Sequence, residues 1–280
     1  MSSPPTLAVR GRLAPEDALA VAIVGARRAS AYGLEVAERL ASELAARGVT
    51  IVSGLARGID TAAHRGALAA GGRTLAILGS GIDVIYPPEN RRLAADIQSQ
   101  GAVLSQFPDG APPLPGHFPA RNRTLAGLAL GVVVVEATLR SGALITAGFA
   151  GDLGREVFAV PGRVTSELSA GPHRLIQEGA TLVQQWTDIV QELPEAARRA
   201  VLAAPVTSAQ ADLPAPGSDE GRVLAALSCD APQHIEQLIA RCSMEPARLA
   251  ATLIDLELTG WARQLAGQRW VAAVAKARRA

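Results

Sequence analysis

The feature that most constrains this chain is an alternation that begins at Val21. A short apolar run leads into a glycine-rich turn, and a longer stretch with apolar residues at helical spacing follows. Val21 to Val24 ends at Gly25, and Val36, Leu40 and Leu44 come after it at intervals of four. Repetition of that unit marks βα units around a parallel sheet. Further strands are expected at Thr50 to Val52, Thr74 to Leu78, Val103 to Leu104, Val132 to Val135 and Val157 to Val160, with a seventh at Thr181 to Val183. Gly131 precedes four valines that are apolar on both alternations, as a strand covered on both faces requires. The fold class is therefore α/β, a doubly wound, mostly parallel, Rossmann-like sheet with Val132 to Val135 near its centre.

Composition narrows the chemistry. The 280 residues are 49% hydrophobic, enough for a substantial core and about two domains at roughly 100 to 200 residues each. The net charge of +1 excludes a wholly basic coat, so any polyanion must be held by a local patch. Lys276 is the only lysine, and no Gly-Lys-Ser/Thr triplet exists, which argues against a P-loop ATPase and a pyridoxal Schiff base. Cys229 and Cys242 are too few for a disulfide framework, and with His234 they fall one ligand short of a zinc site, so no metal is expected. Met1 to Pro5 lack the pattern of an export signal and no apolar run reaches membrane-spanning length. A cytoplasmic location without membrane contact is the expectation.

Three regions follow: residues 1–193, the Rossmann-like domain with a short N-terminal extension; residues 194–218, a linker with Pro194, Pro205, Pro214 and Pro216 among Ala, Ser and Gly; and residues 219–280. The last contains helical patterns at Glu220 to Leu227, His234 to Arg241 and Pro246 to Leu258, then Trp261 to Leu265 and Arg269 to Val274 about a turn at Gly267. Three short helices and a hairpin describe a winged-helix-like module. No acidic residue follows Trp261, whereas Arg263, Arg269, Lys276, Arg278 and Arg279 do. This basic tail suits nucleic acid, and equally a frayed terminus or a small protein-docking module.

In open parallel sheets ligands collect beyond the carboxyl ends of the strands. The first turn runs from Gly25 through Arg27, Arg28, Ser30 and Tyr32 to Gly33; the second is Ser53-Gly54-Leu55-Ala56-Arg57-Gly58-Ile59-Asp60; the third contains Gly79, Gly81 and Asp83. After the Val132 strand, Glu136 leads to Ser141, Gly142 and Thr146. Glycine lets backbone N–H groups approach a ligand, and a helix N-terminus adds partial positive charge. Any single glycine here equally permits a tight turn, but three adjacent turns together favour an anion site. Between Gly25 and Arg73 seven arginines face four acidic residues, a local cationic excess. Arg27, Arg28 and Arg57 offer forked donors, and Tyr32 either a stacking face for a base or a ring packed on its own sheet. Asp60 reads as a helix cap and Glu136 either as a catalytic carboxylate or as the partner of an arginine. Phe118-Pro119-Ala120-Arg121-Asn122-Arg123 then brings two arginines to a helix start, with His117 a surface imidazole. No Ser/His/Asp arrangement exists, and Gly79-Ser80-Gly81 lacks the third glycine of a dinucleotide fingerprint.

Taken in order, these segments resemble the DNA-processing protein A family, DprA or Smf. The resemblance rests on Gly25-Ala26-Arg27 with Ser30 and Tyr32-Gly33, the unbroken Ser53 to Asp60 stretch, Leu78-Gly79 with Gly81 and Asp83, Tyr86-Pro87 with Asn90, Pro119 to Arg123, and Gly154 to Gly162. It covers Leu7 to Leu193. Ala26 and Ala120 stand where the family carries a polar and a basic residue, and His173 where it carries asparagine. The N-terminal helical domain of many relatives is not expected, since Thr6 to Leu13 begins where that domain would end. The resemblance implies a non-enzymatic protein that binds single-stranded DNA, protects incoming DNA, and loads a RecA-type recombinase in natural transformation, as a homodimer and without a cofactor. The residues of the turns give the expected DNA-contacting set, with arginines on phosphates and glycines allowing close approach: Gly25, Arg27, Ser30, Tyr32, Gly33, Ser53, Gly54, Arg57, Gly58, Gly79, Gly81, Arg121, Asn122, Arg123, Ser141 and Gly142. The competing enzyme reading is a nucleotide phosphoribohydrolase of the lysine-decarboxylase-like group, with Glu136 cleaving a base from its ribose phosphate.

Overall fold

A computed structural model describes residues 6–204, 214–215, 217–228, 231–259, 261–265 and 267–272. The chain divides into two units, residues 1–209 and 210–280. In the first, the strands are β1 (Ala8–Gly11), β2 (Ala20–Val24), β3 (Thr50–Ser53), β4 (Thr74–Gly81), β5 (Ala102–Phe107), β6 (Gly131–Val134), β7 (Glu156–Ala159) and β8 (Thr181–Leu182). The helices are α1 (Ala31–Ala45), α2 (Ile59–Ala69), α3 (Arg91–Gln100), α4 (His117–Leu128), α5 (Gly142–Asp152), α6 (Glu167–Gln177), α7 (Trp186–Glu192) and α8 (Glu195–Ala203).

The eight strands form one sheet in the order β1-β5-β4-β3-β2-β6-β7-β8, parallel throughout except for the β1–β5 edge pair. Alternate residues of β2 face opposite layers. Val21 and Ile23 pack with Leu40 and Leu44 of α1, while Ala20, Ala22 and Val24 pack with Leu125 of α4 and Ala147 of α5. That two-sided burial is why the strand runs read as continuously apolar. The chain first builds outward from β2 through β3, β4 and β5, then returns to lay β6 on the other side of β2. The strand order therefore reverses between β2 and β6, and the valine run, β6, stands sixth of the eight strands with β2 and β7 on either side.

Several expectations change. β1 was not read as a strand; it is a four-residue edge with three of its residues exposed, so it carries no apolar signature. β4 runs on through Gly79, Ser80 and Gly81 with a register shift against β5, so the third glycine turn is strand rather than loop. The segment expected as a linker, residues 194–218, begins instead with α8, whose buried Val201 joins the core beside α7. Residues 205–213 and 216 of that segment lie outside the described residues, as do Met1 to Pro5, Cys229, the end of the hairpin at Val274, and Lys276, Arg278 and Arg279.

The second unit contains α9 (Asp219–Ala226), α10 (Ile235–Cys242), α11 (Pro246–Leu258) and strands β9 (Gln233–His234), β10 (Ala262–Leu265) and β11 (Arg269–Ala272), paired antiparallel in the order β10-β11-β9. This is the expected winged helix with one additional short strand. Val223, Leu238, Leu249, Leu253, Trp261 and Trp270 form its core. Arg248 of α11 and Arg222 of α9 both pair with Asp219, so these two cations are already engaged. His234 caps α10, and no cluster of three metal-ligating side chains occurs among the described residues.

One buried imidazole links the fold to pH. Thr74 Oγ1 donates to the Ile51 carbonyl at 2.7 Å, which leaves it to accept from His64 Nδ1 at 2.7 Å. His64 is fully buried, and that burial, reinforced by the Arg121 charge, drives its pKa from 6.5 down to about 3. The unfolded chain takes up this proton near pH 6.5 and the folded chain only near 3, so stability is complete above 6.5 and declines as pH falls through that window. Between about pH 7.5 and 5 the expected loss is about 2 kcal/mol. Denaturant midpoints across this range should show that decline in the parent protein and a much flatter profile in His64→Gln.

Candidate nucleic-acid interface

The second turn is assembled by its neighbours. Asp60, at the start of α2, turns its carboxylate back to accept from Gly54 N at 3.1 Å and Ala56 N at 3.3 Å, so it ties the preceding loop rather than capping its own helix. Asn90 donates to the Leu55 carbonyl and to Thr61 Oγ1, each at 2.9 Å, and Thr61 donates to the Ala56 carbonyl. These bonds hold Leu55 at φ +57, a left-handed conformation unusual for leucine, while its side chain is buried against Leu78, Leu93 and Ile97. Gly58 follows at φ +74, with its α-carbon pressed against the Ala26 carbonyl; a β-carbon would lie 2.2 Å from that oxygen. The first and second turns are thereby locked together.

Over this loop lies Arg121. Its residue is only 4% exposed, and a β-carbon on Gly54 would fall 1.3 Å from its Nη1. Glycine is therefore required there for the guanidinium to be present at all. Among the described residues Arg121 has no ion pair or hydrogen bond, and its buried Nε lacks a partner. Burial lowers its pKa, the nearby Arg27 charge adds to that, and Asp60 opposes it. Burial likewise raises the Asp60 pKa against the pull of Arg121. Arg27, exposed at the end of β2, places its guanidinium 4.9 Å from the centre of the Phe118 ring, and Tyr86 meets Phe118 at 6.1 Å. Arg57 stands at the rim in an exposed ion pair with Glu89, whose hydrogen bond raises the arginine's pKa and lowers its own.

Two concavities share this group. One is a cleft lined by Arg27, Gly54, Arg57, Gly79, Tyr86 and Arg121. The other, of about 300 Å³, lies between the end of β2 and the start of α5, with Gly25, Arg27, Arg121, Asn122, Ser141 and Gly142 among its walls.

The remaining candidate residues are placed differently. Ser53 donates its hydroxyl to the Ile23 carbonyl at 2.6 Å and is fully buried. Ser30 donates both N–H and hydroxyl to Glu136 and accepts from Gly33 N as the cap of α1, so its polar atoms are engaged internally. Glu136 is thus bound to Ser30 and has no arginine partner; both its oxygens are used and the residue is buried, which removes the free carboxylate the hydrolase reading needs. Gly25 faces Ile59, Gly33 the Glu136 carboxylate, Gly79 the Phe118 ring and Gly81 the Pro108 carbonyl. These glycines accommodate their own chain. Tyr32 donates to the Pro161 carbonyl at 2.7 Å and lines neither concavity. Arg121 to Arg123 lie inside α4 rather than at its start, and two residues on a helix point roughly 200° apart. Arg123 accordingly lies against Phe149, 5.8 Å from the ring centre, away from Arg121. His117 stacks on Phe107 at 4.0 Å instead of standing free. Phe118, Asp60, Tyr86 and Asn90 are the site-building residues missing from the expected set. Phe118, Arg121 and Leu125 share the spacing of one inward helix face, which was the signal available for the first.

Fold and site together define an α/β protein with an arginine-lined cleft at the carboxyl edge of a parallel sheet. Residues 1–194 match the DNA recombination-mediator protein A family, and residues 207–268 the DprA winged helix domain. The chain belongs to that family, one of recombination mediators rather than enzymes. It is 40% identical over 272 residues to Protein Smf of Escherichia coli, covering 94% of this chain and 71% of that one. It is 51% identical over 172 residues to DNA processing protein DprA of Streptococcus pneumoniae, 61% of each chain. The solved structure of DNA processing protein A from Streptococcus pneumoniae superposes with a TM-score of 0.64 at 48% identity, over 67% of this chain and 66% of that one. A structure of the Helicobacter pylori protein, concerned with its single-stranded DNA binding mode, superposes with a TM-score of 0.62 at 31% identity, over 68% and 88%.

The position of Arg121 is directly testable. A β-carbon at residue 54 displaces the end of a flexible side chain rather than backbone, so Gly54→Ala should fold with little change in melting temperature. Binding of an oligothymidine, followed by fluorescence anisotropy, should weaken by about tenfold or more as the cleft loses a charged hydrogen-bond donor. Gly151→Ala, where a β-carbon meets nothing within 4 Å, should bind as the parent does.

Proposed function

We propose that this chain binds single-stranded DNA without reading its sequence, protects incoming DNA, and delivers it to a RecA-type recombinase during natural transformation, acting in the cytoplasm as a homodimer. The observation that carries the reading is Arg121, a buried cation with no hydrogen-bond partner among the described residues, lining a cleft whose other charged walls are Arg27 and Arg57. Burying a charge without a partner costs several kcal/mol on the order of a buried ion's desolvation, and an external anion offsets that cost. A phosphate is the fitting class, since guanidinium forks match its oxygens. Arg27, Arg57 and Arg121 are the proposed phosphate contacts, Gly54 and Gly79 shape the floor, and Phe118 and Tyr86 supply apolar surface. Contacts of this kind bear on the backbone of the strand and carry no base information.

The recombination role follows the family, and binding of single-stranded DNA follows the Helicobacter pylori relative. No helix among the described residues is long and apolar enough to cross a membrane. Support for the dimer comes from α5, which exposes Ile145 next to Leu139 of the preceding turn. Leu139 is 55% exposed beside a groove of about 470 Å³ walled by Leu144, Val157 and Leu175. Exposed apolar surface of this kind is characteristic of an interaction face.

Titrating an oligothymidine at several salt concentrations tests the DNA reading. For each phosphate contact removed, the logarithmic salt slope should flatten by about 0.7. Arg27→Ala should show that change with binding weakened alike on all sequences; an unaltered slope would take Arg27 out of the interface. Sedimentation of Leu139→Glu should give a monomer where the parent gives a dimer, with melting temperature preserved.

A further inference from the structure

Asp60 does more in this fold than anchor the second turn. It is 5% exposed and borders the cavity of about 300 Å³ that Arg121 also lines, and among the described residues no ion pair joins the two. A phosphate that meets the Arg121 guanidinium therefore arrives beside a second anion, in surroundings where water screens little. We propose, building on the single-stranded DNA reading above, that Asp60 is a positioning residue whose carboxylate supplies the counter-charge of Arg121 in the free chain and takes up a proton when DNA is bound. Affinity for the strand then rises as pH falls.

The geometry separates the two roles of this side chain. Asp60 Oδ2 accepts from Gly54 N at 3.1 Å and Ala56 N at 3.3 Å, and a neutral carboxyl keeps an oxygen that accepts. The loop that carries Gly54, and with it the space filled by the guanidinium, is thus held in either state. What protonation changes is charge. Burial raises the Asp60 pKa above its ordinary 3.8, and Arg121 from α4, the loop N–H groups and Arg27 from the end of β2 oppose that rise. A phosphate on Arg121 cancels the leading opposing charge and adds repulsion of its own, so the carboxyl titrates higher in the complex than in the free chain. Such a group takes up a proton on binding; affinity is greatest below its free-chain pKa and is lost as pH rises through its pKa in the complex. His64, one turn further along α2, also senses Arg121, but it stays neutral above its value of about 3 and adds no charge in that window. Arg57 and its partner Glu89 lie outside the cavity wall.

The test uses the full chain and an oligothymidine at fixed salt. Anisotropy between about pH 8 and 5 should show binding that tightens as pH falls, by at most about tenfold per pH unit, the limit for a single proton. Asp60→Asn keeps an acceptor oxygen for both N–H groups and removes the charge. Its profile should be much flatter, and at the upper end of the range it should bind several-fold more tightly than the parent, with the melting temperature confirming that it folds. His64→Gln should keep the parent's profile. The carboxyl carbon-13 resonance of Asp60, followed with pH in the free chain and in the complex, reads the proton without any substitution and should titrate at higher pH in the complex. The proposal is overturned if the resonance titrates alike in both, if Asp60→Asn keeps the parent's profile, or if that variant folds and binds more weakly than the parent at every pH, the mark of a purely structural carboxylate. Failure of the parent to bind oligothymidine at low salt anywhere in the range would overturn the DNA reading, and the proposal with it.

Discussion

The structure around the carboxyl edge of the sheet is organised by a single electrostatic difficulty, the guanidinium of Arg121 held away from water without a hydrogen-bond partner. Such a group is tolerated only where the surroundings leave it room and supply compensating charge. Room comes from Gly54, whose missing side chain is the space the guanidinium fills. Compensation comes in part from the nearby charge of Asp60, whose Oδ2 accepts from the Gly54 and Ala56 N–H groups and which makes no direct pair with Arg121. The loop, the buried guanidinium and the left-handed Leu55 therefore depend on one another, and Asn90 fastens the arrangement from across the sheet edge.

Glycine after a strand was read as backbone left open for a ligand. In the folded chain most of these positions are instead where two segments touch. Gly25 meets Ile59, Gly33 meets Glu136 and Gly58 meets the Ala26 carbonyl, so the first and second turns are drawn together by their own contacts. The functional consequence is indirect. Close approach of the turns leaves only Arg27, Arg57 and Arg121 to define the charged walls of the cleft, which is framed by side chains rather than by a row of free N–H groups.

Much of the fold was legible because its strands are buried on both faces. Val132 to Val134 pack on two layers at once, and no other assignment suits four successive valines after Gly131. β1 escaped because an exposed edge strand of four residues needs no apolar side chains, only the open backbone of β5. α8 was hidden by the prolines and alanines around it, although Val201 and Ala197 pack it onto the core. For the site, residue types were readable and pairings were not. Ser30 and Glu136 are 106 residues apart, and nothing local announces that one caps a helix while held by the other. The separation of Arg121 from Arg123 was available from helical geometry, but only once α4 is known to begin at His117.

The remaining question is why Arg57, already paired, belongs with the two unpaired cations. Its pair with Glu89 is exposed on both sides, where water competes for each charge and salt screens the attraction. Such a pair is readily exchanged for a phosphate, because neither partner is stranded in a dry environment when it opens. Arg73 shows the contrast. It meets both oxygens of a largely buried Asp17 and also donates to the Arg12 carbonyl, binding the N-terminal segment to the sheet, and its release would unfasten structure. Burial, rather than residue type, thus separates the arginines that build this protein from those free to meet a ligand. Among the described residues Arg121 alone combines the two conditions, since it is buried as deeply as a structural cation and left without the partner that would make it one.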